Sequence, residues 1–189
     1  MKYIRQSLIA LVLLTLITGV IYPLAIYGFS QLMFPASANG SLLSHNGQII
    51  GSRLIGQPFT SQQYFWSRPS ATSDFPYNPL ASGGSNLGPL NPALESQVAQ
   101  RVQVLQATNP GVKVPVDLVT ASASGLDPEI SLAAAMFQIP RVAQARHLSL
   151  SQVQQQVAAH SQTPWLGLFG EARVNVLELN LALDQLTRN

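Results

Sequence analysis

From Ser7 to Phe34 no side chain is charged, and thirteen of the residues from Leu8 to Phe29 are Leu, Ile, Val or Phe. In helical form twenty-eight residues reach about 42 Å at ~1.5 Å each, against about 30 Å of bilayer hydrocarbon. The segment therefore predicts one transmembrane helix, 7–34. Pro23 removes one backbone donor inside it, which a membrane helix tolerates when a Ser/Thr side chain or a local adjustment takes up the freed carbonyl. Tyr22 and Tyr27 suit an interfacial position. Lys2 and Arg5 precede the span and no charged residue follows before Arg53. The positive-inside rule then predicts a cytoplasmic 1–6 and an extracytoplasmic domain over 35–189. The competing reading is a cleaved signal peptide with Ala36-Ser37-Ala38 as its processing site and Asn39 as the new N-terminus. Its apolar stretch is about twice the usual length, which favours the retained anchor.

Beyond the span the pattern is mixed. β-branched and apolar residues around Gly51-Ser52, within Gln48–Gly56, predict a strand pair or a bent strand. Trp66 to Asn91 is rich in Ser, Pro, Gly and Asn without a sustained period, too long for a plain connector. Its Trp66, Arg68, Phe75 and Tyr77 predict an ordered loop that packs on something. Asn91-Pro92 supplies a cap and an N1 proline for a helix whose Leu94, Val98, Val102 and Leu105 share a face. Asn109-Pro110-Gly111 stops it. Val112 to Thr120 reads as an edge strand because of Pro115. Asp127-Pro128 reads as the cap and first residue of a core helix through Ala133, Ala134, Met136, Phe137 and Ile139, bent at Pro140. Ser149 and Gln152 make a capping-box pair, with Leu148 and Val153 as its staple. In Val174 to Leu186 the apolar residues nearly alternate, but Val176, Leu179, Leu183 and Leu186 fit a helical stripe, and the Leu/Ala content favours helix. The exported body thus predicts an α+β (mixed α/β) fold with a small β-sheet and several helices.

Charge narrows the function. The chain has 10 Lys/Arg against 8 Asp/Glu and a pI near 9.2, but the excess lies in Lys2 and Arg5. No basic cluster suits a nucleic acid. Absence of cysteine excludes disulfides, thiolate metal sites and thiol catalysis. At 47% apolar residues with near-zero net charge the chain can bury a core.

Catalytic patterns are missing. Neither Lys2 nor Lys113 follows a glycine turn of the phosphate-binding kind, and no G-x-S-x-G elbow occurs. Ser82-Gly-Gly-Ser85 reads as a loop needing positive φ. His45, His147 and His160 stand far apart and read as surface residues. Arg141, Arg146 and Arg173 could together grip an anion, but ion pairs with Asp127, Glu129 and Glu171 are the simpler use. The reading assigns no catalytic, cofactor or metal residue.

Several blocks together carry a resemblance: the apolar segment ending Ile21-Tyr-Pro-Leu24, Asn39-Gly-Ser-Leu42, Leu54-Ile-Gly-Gln57, Tyr64-Phe-Trp-Ser-Arg-Pro-Ser-Ala-Thr72, and Ala81-Ser-Gly-Gly-Ser-Asn-Leu87 with Asn91-Pro92. Pro115 to Asp127, Gln138-Ile-Pro-Arg-Val-Ala143 with Ala145-Arg146, and Val174 to Asp184 continue it. In this order and spacing the blocks resemble, over almost the whole chain, the C subunit of the bacterial Kdp potassium-transporting ATPase. The departures are Glu129-Ile130 after Asp127-Pro128, and Ala172 where many relatives have proline.

The resemblance implies a non-catalytic accessory subunit of a high-affinity, ATP-driven potassium uptake complex in the cell inner membrane. It implies as partners a channel-like potassium-translocating subunit, a P-type ATPase subunit, a small accessory subunit and membrane lipid, with no nucleic acid. ATP and K+ would act at the partner subunits. The family is described as a catalytic chaperone that raises the ATPase subunit's affinity for ATP. Because an exported domain lies across about 30 Å of hydrocarbon from cytoplasmic nucleotide, such an effect would travel through subunit packing. Arg68, Asn86 and Asp127 are the expected structural or interface residues of the exported surface, and Gly19 and Gly28 those of the anchor. The alternative function is a secreted or anchored module that binds a small ligand.

Overall fold

The computed structural model describes residues 1–164 and 166–186. It contains two compact units, Met1–Ile50 and Gly51–Asn189. The first opens with α1 (Lys2–Leu16), a π-helical turn at Ile17–Ile21 and α2 (Tyr22–Met33). Together they make a helical run of 32 residues with a peak mean hydropathy of 2.5, long and apolar enough to cross a membrane. The π turn has a cause in the sequence. Pro23 cannot donate to the carbonyl of Gly19, and its ring crowds that carbonyl, so the turn before it widens. Thr18 Oγ1 donates to the Leu14 carbonyl at 2.7 Å within the same stretch.

After a short α3 (Pro35–Ala38) come β1 (Leu42–His45) and β2 (Gln48–Ser52), which pair through Asn46 (φ 51°) and Gly47 (φ 78°). An Asn-Gly pair with both φ positive is the preferred two-residue hairpin turn. The predicted strand at Gln48 thus exists, but its partner precedes it and does not lie in 53–56. Asn46-Gly47 was the legible signal.

The second unit holds a three-stranded antiparallel sheet of order β3 (Glu129–Ser131), β5 (Arg173–Asn175), β4 (Ser161–Gln162). Four helices accompany it: α4 (Pro92–Thr108), α5 (Leu132–Arg146), α6 (Leu150–Ala159) and α7 (Val176–Leu186). Helix and small sheet therefore mix as the pattern predicted. Phe65, Ala134, Val142, Val153, Val174, Leu179 and Leu183 are 0% exposed at the centre of the core, where each buried Val, Leu or Phe side chain contributes about 1.5–3 kcal/mol of transfer free energy.

Several caps stand where expected. Asn91 accepts the Ala93 amide at 2.9 Å, and Ser149 and Gln152 form a complete capping box. Leu148 packs on the cluster that contains Val153, as the staple requires. α7 spans the predicted helical stripe, with Leu186 exposed at its end.

Two elements differ. Val112–Thr120 is not a strand; it holds a single 3-10 turn, Val116–Leu118, that turns Leu118 and Val119 inward. Its β-branched content expressed a local preference that no neighbouring strand satisfies. Asp127-Pro128 does not open a helix either. Residues 129–131 pair with 173–175, and the cap of α5 is Ser131, whose Oγ accepts the Ala134 amide at 3.0 Å. A pairing more than forty residues distant displaced the local cap by one short strand. α5 itself runs on through Pro140, with the exposed Met136 carrying the carbonyl deprived of its donor. Ala133 and Met136, predicted as core, lie on its exposed side.

Candidate functional site

The long polar segment acquires its shape from side chains. α5 presents Gln138, Arg141 and Arg146, and α7 presents Asn180 and Asp184 one turn apart. Between them lie residues 62–68, which leave a turn in which the Tyr64 amide donates to the Ser61 carbonyl at 3.2 Å and then run on from 65 to 68 outside any helix or strand. The Phe65 amide donates to Asn180 Oδ1 at 2.8 Å, and Asn180 Nδ2 donates to the Phe65 carbonyl at 3.0 Å. Gln138 repeats the arrangement on Trp66, accepting its amide at 2.7 Å and donating to its carbonyl at 3.2 Å. Each carboxamide thus replaces the peptide group that a sheet neighbour would supply. Arg141 Nη1 donates to the carbonyls of Gln62 (2.6 Å) and Tyr64 (3.0 Å), and Arg146 Nε to that of Gln63 (2.6 Å).

Both arginines also cover aromatic rings of the segment. The Arg141 guanidinium lies 3.9 Å from the Trp66 ring centre and that of Arg146 lies 5.0 Å from the Tyr64 ring centre. Arg146 Nη2 meets Asp184 Oδ1 at 2.7 Å, and the Tyr64 hydroxyl donates to Asp184 Oδ2 at 3.2 Å. Burial first, then the charge of Asp184, raises the Tyr64 phenol above its ordinary value. Burial pushes Arg141 down to about 10, because its charge is desolvated and, among the described residues, has no carboxylate partner. Its Nε is buried and unbonded.

Further along, Arg68 Nη1 and Asp127 Oδ2 form an ion pair at 2.9 Å, with each side chain about a quarter exposed. The sequence thus named two residues that the fold joins across fifty-nine positions. Asp127 does not cap a helix; its Oδ1 accepts the Glu129 amide at 3.0 Å, which closes an Asx-type turn before β3. Ser70 ties the loop by donating to the Gly125 carbonyl (2.7 Å) and accepting the Tyr77 amide (2.9 Å). The Tyr77 hydroxyl donates to the Arg68 carbonyl. Gly56 lies under Tyr77, where a Cβ would stand 2.4 Å from its ring and 2.7 Å from the Asp127 carbonyl oxygen.

The remaining predicted residues fall elsewhere. Asn86 is exposed, with φ 51°. Gly19 lies in the π turn and Gly28 in α2, with nothing within 4 Å of a Cβ built on Gly28. Phe75, expected to pack, is 54% exposed. Ser82–Ser85 needs no positive φ: Gly83 and Gly84 do not adopt it, and the positive-φ glycine is Gly125 on the facing segment. Gly84 is small because a Cβ there would stand 3.1 Å from the Ala123 carbonyl oxygen. Arg173 pairs with Glu129 at 2.8 Å as foreseen, whereas Arg146 chose Asp184 and Arg141 chose backbone carbonyls. His147 is exposed and ends α5 in the left-handed region, with His45 and His160 half-buried. Among the described residues no three His, Asp or Glu are grouped to hold a metal ion.

Sequence reasoning passed over Gln138, Asn180 and Asp184 as organising residues. A polar residue within an otherwise apolar helical stripe was the available signal. Asn180 and Gln138 are 2% and 1% exposed, and buried carboxamides require partners.

Burial pushes the Tyr77 phenol up to about 12, with the charge of Asp127 adding to it. The folded protein therefore holds this proton after the unfolded chain has released it at about pH 10. The contribution is complete below that pH and disappears as pH rises through about 12. The stability advantage of the parent over Tyr77→Phe should shrink by about 2–3 kcal/mol between pH 9 and 12, measured by urea unfolding at stepped pH. A constant difference would contradict the buried donor role.

The KdpC family model, described as K+-transporting ATPase, c chain, matches residues 4–185. The chain belongs to the KdpC family. A protein of Polaromonas naphthalenivorans called "Potassium-transporting ATPase KdpC subunit" is 60% identical over 185 residues, covering 97% of this chain and 94% of its own. Proteins of the same description from Janthinobacterium sp. (58% over 183 residues; 96% and 97% covered) and Serratia proteamaculans (54% over 188; 98% and 100%) agree. KdpC membership thus extends over the apolar helix and the second unit alike, and the resemblance read from sequence blocks is borne out.

Proposed function

We propose that this chain is a non-catalytic accessory subunit of an ATP-driven potassium uptake complex, anchored in the cell inner membrane by one helix. Its N-terminus is cytoplasmic and 35–189 is extracytoplasmic. The single observation that carries this reading is the family match over residues 4–185. The distribution of charge supports the orientation, with Lys2 and Arg5 before the helix and no further charge until Arg53. The partners are a channel-like potassium-translocating subunit, a P-type ATPase subunit, a small accessory subunit and lipid, and ATP and K+ act on those partners. The chain promotes assembly and raises the ATPase subunit's affinity for ATP through packing between subunits. Arg68, Asp127 and Asn86 order or line the exported interface, while Gly19 and Gly28 permit close approach on the anchor.

A tagged chain isolated in gentle detergent should bring down a P-type ATPase and a channel-like protein in fixed ratio, with an intact mass that includes the helix. Recovery alone, beginning at Asn39, would overturn the reading. Removal of the chain should raise the KM for ATP of the remaining complex. Arg68→Ala should lower partner recovery several-fold, with Arg68→Lys intermediate. Full recovery with Arg68→Ala would remove this residue from the interface.

A further inference from the structure

One cavity in the second unit lies beside the ladder of hydrogen bonds that orders residues 62–68 and shares Trp66 with it. Gln100, Arg101, Val104 and Leu105 of α4 face Trp66 of that segment and Leu118 of the 3-10 turn across an open space of about 340 Å³. That size lies within the range of small-molecule sites. Leu105 and Leu118, each 5% exposed, supply an apolar floor. The Trp66 Nε1–H already donates to the Ser61 carbonyl at 3.0 Å, so the indole has no donor left to offer. Among the described residues that line the cavity, Arg101 is the only charged one.

Arg101 makes one hydrogen bond to the fold. Its Nη1 donates to the Val119 carbonyl at 2.9 Å, which steadies the guanidinium and leaves most of its five N–H groups available. No carboxylate pairs with it among the described residues, and partial burial lowers its proton affinity. On the Trp66 ring rests a second guanidinium without an acid, that of Arg141. Arg141 does not line the cavity, so its charge adds to the field there without occupying space. An apolar floor, an aromatic wall and uncompensated positive charge complement an anion carried on an apolar body. A single fork-shaped donor matches a carboxylate. A phosphate dianion would want the backbone amides of a helix N-terminus or a glycine-rich nest, and Pro92, where α4 begins, lies about 12 Å along the axis from Gln100.

We propose that this cavity binds an amphiphilic monocarboxylate, with the carboxylate on Arg101 and the aromatic or aliphatic body against Trp66, Leu105 and Leu118. The site is independent of the subunit role proposed above, and partner recovery does not bear on it.

The test uses the full chain in lipid nanodiscs, where no detergent tail competes for the cavity. The chain has 2 tryptophans, so Trp165→Phe leaves Trp66 as sole reporter. Titration with 4-phenylbutyrate should change Trp66 emission saturably. Affinity should fall at least tenfold for neutral 4-phenylbutyramide and for Arg101→Gln, the loss of about one charge-assisted hydrogen bond. Val104→Glu gives a second variant that leaves the fold alone, since Val104 is 58% exposed on a helix. Its carboxylate stands three residues from Arg101, where it neutralises the guanidinium and repels the ligand, so binding should be lost. Equal affinity for acid and amide, equal affinity in both variants, or only a linear drift from partition into lipid would each overturn the proposal.

Discussion

Asn180→Ala is expected to destabilise the second unit by about 2–5 kcal/mol. The substitution removes both hydrogen bonds that hold Phe65. Phe65 is 0% exposed, so neither its amide nor its carbonyl can turn to water, and each unsatisfied group costs about 1–3 kcal/mol. The vacated carboxamide volume adds to the loss. Urea unfolding in a Trp165→Phe background, followed by Trp66 fluorescence, should show a lower midpoint with an unchanged slope. Trp66 is next in the chain, so it also reports whether the segment detaches while the helices persist. A loss below about 1 kcal/mol would mean that the segment finds other partners, and that Asn180 does not act as a substitute sheet neighbour.

Leu179→Ala should cost a similar amount, about 2–5 kcal/mol, for a different reason. Leu179 is 0% exposed in the same cluster as Phe65, Val142 and Val174. Alanine there loses the transfer free energy of the deleted carbons and leaves a cavity that close-packed neighbours fill only in part. Leu168→Ala is the control, since Leu168 is 81% exposed and its change should remain within about 0.5 kcal/mol. Equal effects at the two positions would mean that α7 does not pack as described. The comparison separates the two kinds of support in the second unit. Leu179 acts through apolar volume, whereas Asn180, the next residue, acts through two directed hydrogen bonds.

How much was legible follows from distance along the chain. The N-terminal apolar helix, the Asn91 cap, the Ser149–Gln152 box and the stripe of α7 depend on groups a few residues apart, and local pattern reads them directly. Asn46-Gly47 belongs with them. Arg68 and Asp127 were singled out through family blocks, but nothing local told that one would neutralise the other. Asp127 was misread because a carboxylate before proline satisfies a helix cap as well as a turn before a strand. Val112–Thr120 failed for the same reason: β-branched residues fit a strand, and only the rest of the fold determines whether a neighbour arrives to pair with it.

By itself, then, the sequence determined an uncharged helical run with its positive flank, the caps of α4 and α6, the apolar stripes that make a core, and membership of the KdpC family. The tertiary structure decided which distant groups meet. Gln138 reaches Trp66 over 72 positions and Asn180 reaches Phe65 over 115, and β3 finds β5 across the whole of α5 and α6. Such partners are selected by the joint burial of many apolar side chains, which brings polar groups out of water and obliges each to find a partner. No window of neighbouring residues contains that constraint.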